Sequence, residues 1–158
     1  METINVNYKL NKEGIKIVFS NAFTSTGIEY WGAISDRKPS SDELSLSDIY
    51  DNNRKASEKN AEAPPINSFP DADTCTDMLL NGKPLYVLEI EEDEDSTILG
   101  VHELNQENFE KGFASFISRS LEQPRTGGLI FNYQFDYGNP EVGDWVIQHA
   151  IFNEMRYG

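Results

Sequence analysis

An α+β domain is what this sequence predicts, with a small antiparallel sheet packed against about three helices. Three observations predict it. Three separate segments repeat their apolar residues at helical spacing. Two short apolar runs flank an acid-rich turn, as the arms of a hairpin would. The helical stripes also need a common surface to bury against, and a sheet supplies one. The chain reads as a single domain over residues 1–158 that carries a polar, partly mobile insertion at 36–81.

Residues 4–10, "INVNYKL", alternate weakly and are expected to form a first strand. In "NKEGIKIVFSNAF", Ile15, Val18, Phe19, Ala22 and Phe23 share one helical face. Asn11 is placed to cap that helix and Glu13 lies in its first turn, where negative charge is favoured. Ser25, Thr26 and Gly27 are expected to end it. "IEYWGAI" follows as a strand, which would set Ile28, Tyr30 and Gly32 on one face and Glu29, Trp31 and Ala33 on the other. From Asp36 to about Asn81 the pattern gives way to Ser, Asn, Asp, Pro and charge, with short helical pieces conceivable around Asp42–Tyr50 and Thr74–Leu80.

Order returns with "KPLYVLEI", the acidic turn "EEDED" and "STILGVHEL", which read as a hairpin. "NQENFEKGFASFISRSLE" is a second helix, capped by Asn105, with Phe109, Phe113, Phe116, Ile117 and Leu121 as its buried stripe. Gly112 within that helix costs about 1 kcal/mol relative to alanine, so it is expected to admit another backbone. After "PRTGG" and a short extended piece, Asn139–Pro140 opens a third helix whose Val142, Val146, Ala150 and Ile151 are spaced for burial.

With 13 Lys+Arg against 27 Asp+Glu, the chain carries a net charge of −14. That charge repels nucleic acid, so direct DNA or RNA binding is excluded as an ordinary role. It also permits imitation of DNA by the protein itself. At 158 residues the chain can bury a core without metal or disulfide help. Mean hydropathy is −0.54, and no apolar run approaches the roughly 18–20 residues of a membrane span. The first ten residues lack the basic flank and apolar stretch of a secretion signal, and the lone Cys75 leaves no internal disulfide. A reducing, cytosolic setting follows.

Catalytic chemistry finds little support. "EIEEDEDS" lacks the glycine and the alternating acids of a calcium loop and reads as a solvated hairpin tip. His102 and His149 are the two histidines; no G-x-S-x-G accompanies them, and Cys75 sits in the insertion. No metal or cofactor site is expected. "RTGGL", residues 125–129, could cup an anion through Arg125 and the amides of Gly127 and Gly128. The aromatics Tyr30, Trp31, Phe135, Tyr137, Trp145, Phe152 and Tyr157 gather near two places in the chain, where they suit either a core or the stacking of bases.

Two stretches, "NAFTSTGIEYW" and "GDWVIQHAIFNEMRYG", with "HELNQENFEKGF" between them, resemble a widespread family of small bacteriophage proteins that share a GGxxYW … QxAxFGxxxYG pattern. Here Thr26–Gly27 stands at the paired glycines, Asn153 at the glycine after the phenylalanine, and Asp136-Tyr137-Gly138 before the last helix. The resemblance implies a phage protein in the host bacterial cytoplasm that blunts host defence without catalysis, by sequestering a cyclic-nucleotide immune signal. In that reading Tyr30 or Trp31 stacks on a base with Tyr157 nearby, Arg125 and Arg156 meet phosphate, and Gln148 or Asn132 reads a base edge. A symmetric ligand would favour a homo-oligomer. The alternatives are an acidic DNA mimic or other protein-binding inhibitor of a defence nuclease, and an immunity protein for a toxin.

Overall fold

The computed structural model describes residues 10–23, 27–59, 69–122 and 140–158. Within them the fold is α+β. A three-stranded antiparallel sheet in the order β1-β2-β3 (Gly32–Ser35, Leu85–Ile90, Ile98–Leu104) is accompanied by five described helices. The first strand expected at 4–10 lies outside the described residues apart from Leu10.

Helix α1, Lys12–Ala22, begins as expected: the Asn11 carboxamide oxygen accepts from the Gly14 amide at 2.8 Å. It ends at Phe23, earlier than expected; Thr24, Ser25 and Thr26 lie outside the described residues. Strand β1 is shorter than the sequence suggests. Ile28 to Trp31 form a turn, in which the Trp31 and Gly32 amides donate to the Ile28 carbonyl at 3.0 and 2.7 Å. A turn of this kind puts residues three apart on one side, so Ile28 and Trp31 both point inward, each 1% exposed, and Tyr30 points outward at 41%. The strand alternation expected for Tyr30 and Trp31 is corrected on this ground.

The polar stretch 36–81 holds two helices, α2 (Leu46–Lys59) and α3 (Ala72–Leu80). Asp71 caps α3 by accepting from the Thr74 amide at 2.8 Å, and Cys75 and Leu79 enter the main core. Part of the expected insertion therefore belongs to the fold itself. The loop before α2 is ordered by an ion pair between the half-exposed Arg37 and the buried Glu43. Arg37 donates both arms of its guanidinium to Glu43 at 2.7 Å each and adds a bond to Asn53 at 3.0 Å. The Ser40 amide also donates to Glu43, at 2.8 Å. This loop lies along the start of β3, through a Ser45–Thr97 bridge and the Ile98 amide donating to the Leu44 carbonyl at 2.8 Å.

Strands β2 and β3 form the expected hairpin around an exposed acidic turn. Glu89 opposes Gly100 while Ile90 opposes Ile98, so Leu99 is a bulge residue on β3. Helix α4, Gln106–Glu122, opens on a reciprocal cap: the Asn108 amide donates to the Asn105 side chain, and the Asn105 amide donates back to that of Asn108. Helix α5, Pro140–Phe152, packs on both α1 and α4. Two glycines permit this closeness. A Cβ on Gly112 would stand 2.6 Å from the Ala150 nitrogen, and one on Gly143 would stand 2.3 Å from the Ala22 nitrogen. The core gathers Phe19, Trp31, Val87, Phe109 and Val146 between the sheet and these helices.

Candidate functional site

The residues after α5 fold back over the turn before β1. Asn153 directs that return. Its φ of 58° is left-handed, a conformation that asparagine and glycine accept most readily.

Gln148, fully buried in α5, then ties the tail down. Its carbonyl oxygen accepts from the Arg156 and Tyr157 amides at 2.9 and 2.8 Å. Its amino group donates to the Tyr157 carbonyl and to Asp144, each at 2.9 Å. All four hydrogen-bonding positions of the carboxamide are thus used inside the protein. Asp144 also accepts from the Trp31 indole N–H at 2.8 Å. Burial pushes the Asp144 carboxyl up, and these two donors partly offset it.

The tail carries its aromatic ring onto Trp31. Tyr157 stacks on the indole with centroids 5.0 Å apart and planes 5° from parallel, and Phe152 leans on it at 5.7 Å. The Tyr157 hydroxyl donates to one oxygen of Glu89 on β2, and His102 Nε2 lies 3.0 Å from the other. Gly100 makes room there, since a Cβ at that position would stand 2.9 Å from Glu89 and 3.0 Å from His102. Burial raises the Glu89 carboxyl, but the bonds from Tyr157 and His102 and the nearby Arg156 more than offset it, leaving it below its ordinary value. Burial, then the bond to Glu89, pushes the Tyr157 phenol up to about 12.

Arg156 lies over the Phe152 ring, its guanidinium carbon 4.0 Å from the centroid. Its nitrogens are 3.8 Å from Glu89 and 3.7 Å from Glu154, too far for hydrogen bonds, and its side chain is 45% exposed. Tyr30 is the other exposed group. The residue preceding each ring of the buried stack therefore faces solvent: Tyr30 before Trp31, Arg156 before Tyr157.

Of the expected ligand-binding residues, the structure brings Trp31, Gln148, Arg156 and Tyr157 together, with Tyr30 beside them in the chain. Two of those expectations are corrected. Trp31 is a core ring, covered by Tyr157 and Phe152, and the Gln148 amide has no edge left for a base. Arg125 and Asn132, with Gly127 and Gly128, lie outside the described residues. Sequence reasoning missed Asp144 and Glu89, the two carboxylates that organise the cluster. The helical spacing of Asp144 and Gln148 was the one available signal for the first. For Glu89, an acid in an otherwise apolar strand run was the hint.

Other reactive groups are engaged or masked. The His149 ring donates from Nδ1 to the Trp145 carbonyl at 2.8 Å. Burial pushes the Cys75 thiol up to about 12, so it stays protonated at neutral pH. Among the described residues, no three His, Cys, Asp or Glu side chains gather as a metal ion would require, and no helix is long and apolar enough to cross a membrane. Comparison with known proteins finds no matching family model, no matching curated protein and no matching solved structure.

Proposed function

We propose that this is a phage-encoded, non-enzymatic inhibitor of host antiviral defence that sequesters a nucleotide immune signal in the host cytoplasm. The observation that carries the reading is that Tyr30 and Arg156, each next in the chain to a ring of the Trp31–Tyr157 stack, are both exposed. A ring and a guanidinium held only by long ion pairs to Glu89 and Glu154 are the two groups that an anionic nucleotide needs, one for its base and one for its phosphate. The stack, Gln148 and Asp144 hold their backbones in place, which limits the ordering cost of binding. Screening at cellular salt cuts the repulsion of the acidic surface beyond about 8 Å, so anion capture is slowed but not prevented. A two-fold symmetric ligand would draw two copies together around it.

The test is to incubate the protein with a panel of cyclic mono-, di- and trinucleotides, heat-denature it, and identify the released molecules by mass spectrometry. One nucleotide released intact is expected. Arg156→Ala and Tyr30→Ala should each weaken its binding in calorimetry while leaving the melting temperature almost unchanged. Release of a hydrolysed product would make the protein an enzyme, and silence across the panel would end the reading.

A further inference from the structure

A second surface, along the first half of β3, does not depend on the nucleotide reading. Leu44, Leu99 and Val101 are 66%, 58% and 38% exposed, which is unusual for neighbouring aliphatic side chains. They line an open groove of about 280 Å³ between the Pro39–Leu44 loop and the Ile98–Val101 part of β3. The loop wall is held from beneath by the Arg37–Glu43 pair, whose Glu43 side chain is only 1% exposed. The other wall is fixed by the bridge between Ser45 and Thr97. The groove is thus built into the fold at both sides.

Its surroundings are acidic. The exposed turn Glu91–Asp95 is joined to this loop through the Leu46 amide donating to the Ser96 carbonyl at 3.0 Å and the Ser47 amide reaching the Asp95 carbonyl at 3.4 Å. Asp42 lies in the loop and Glu103 follows Val101 on β3, both exposed. Arg37 is neutralised by Glu43, which leaves the exposed Lys38 beside Pro39 as the loop's one cation against these acids.

We infer that this groove docks a segment of a partner protein that presents aliphatic side chains flanked by lysine or arginine. Charge decides among the occupants. A second copy brings another −14 and the same acidic rim, and nucleic acid is itself a polyanion. The bulge at Leu99 twists β3 at the point where a strand would have to add, so recognition runs through side chains entering the groove. The groove is also open to solvent, unlike the enclosed sites that hold small molecules, and it suits one or two inserted side chains. The apolar anchor provides affinity, and the acidic rim steers approach and rejects acidic surfaces.

The experiment titrates the full chain, labelled with nitrogen-15, with a synthetic peptide carrying Leu-Val-Leu between two pairs of lysines. Two controls are a peptide of the same composition with its apolar residues dispersed and one with glutamates replacing the lysines. Shifts in the Leu44, Leu99 and Val101 amides are expected with the first peptide, with affinity falling as salt rises. Leu99→Glu with Val101→Glu should weaken binding by about tenfold or more, as removal of central anchors does. Leu44→Glu, in a loop and without consequence for the sheet, repeats the test if the double variant melts early. Equal binding of the glutamate or dispersed peptide, or shifts confined to other residues, would overturn the proposal. So would a dimer in sedimentation that Leu44→Glu dissociates, since the occupant would then be a second copy.

Discussion

Trp31 and Tyr157 lie face to face, 5.0 Å apart between centroids, and this contact joins the turn before the first described strand to the end of the chain. The indole is 1% exposed and its N–H is bonded to Asp144. Trp31→Ala would open a large cavity and take from the buried Asp144 one of its two donors. A loss of about 3–5 kcal/mol is expected in urea unfolding. Trp31→Phe keeps most of the ring and removes only the donor, so a smaller loss of about 1–3 kcal/mol should follow. If the two variants cost the same, loss of the hydrogen bond to Asp144 accounts for the whole effect and burial of the ring adds nothing to it.

Gln148 holds the tail by three hydrogen bonds to the backbone of Arg156 and Tyr157. Gln148→Leu removes all three and one of the bonds to Asp144. The freed tail can rehydrate, so the expected loss of stability is modest, about 1–3 kcal/mol. The sharper readout is local. Hydrogen exchange at the Arg156 and Tyr157 amides should rise toward that of unstructured peptide, while α1 and α4 stay protected. Trp31 fluorescence should shift to the red as Tyr157 leaves its face. Retained protection at those two amides would show that the aromatic stack alone holds the tail.

The elements legible in the sequence were those with a strong period. The stripes of α1 and α4, the Asn11 and Asn105 caps and the β2–β3 hairpin needed only local pattern. Tyr30 and Trp31 misled because an apolar–aromatic run with strand propensity forms a turn here, and the Ile28 carbonyl that closes it has no sequence signature. In the stretch 36–81 the helical piece at Thr74–Leu80 is legible, within α3, but the ordered loop before α2 is not. Arg37, Glu43 and Asn53 are scattered among similar polar residues, and only the fold selects these three as partners. Of the two uses the sequence leaves open to the aromatics, core and base stacking, Trp31 takes the first, where it meets the C-terminal tail.

Gly112 offers a test of how α4 and α5 meet. Substitution by alanine should gain about 1 kcal/mol from helix propensity alone. A Cβ there would stand 2.6 Å from both the Ala150 nitrogen and the Val146 oxygen, and these are backbone atoms that cannot rotate aside. Overpacking of this sort costs about 1–3 kcal/mol. Gly112→Ala should therefore lower the melting temperature, and Gly112→Val should lower it further. A rise with alanine would mean that the helices stand farther apart than described.

Glu43 sets the acid limit of the loop that walls the groove. The two-armed bond from Arg37 comes first among the causes that lower its carboxyl to about 2 from an ordinary 4.5, with the Ser40 donors adding to it against the cost of burial. The folded value lies below the unfolded one. The resulting stabilisation is therefore full above about pH 4.5 and is lost as pH falls through about 2. Glu43→Gln, which keeps the shape but not the charge, should lower stability near neutral pH by about 2–3 kcal/mol. The gap between the two proteins should close between about pH 4.5 and 2 in urea titrations repeated at each pH. A gap that stays constant down to pH 2 would assign the loss to packing and leave the charge on Glu43 without a role in the fold.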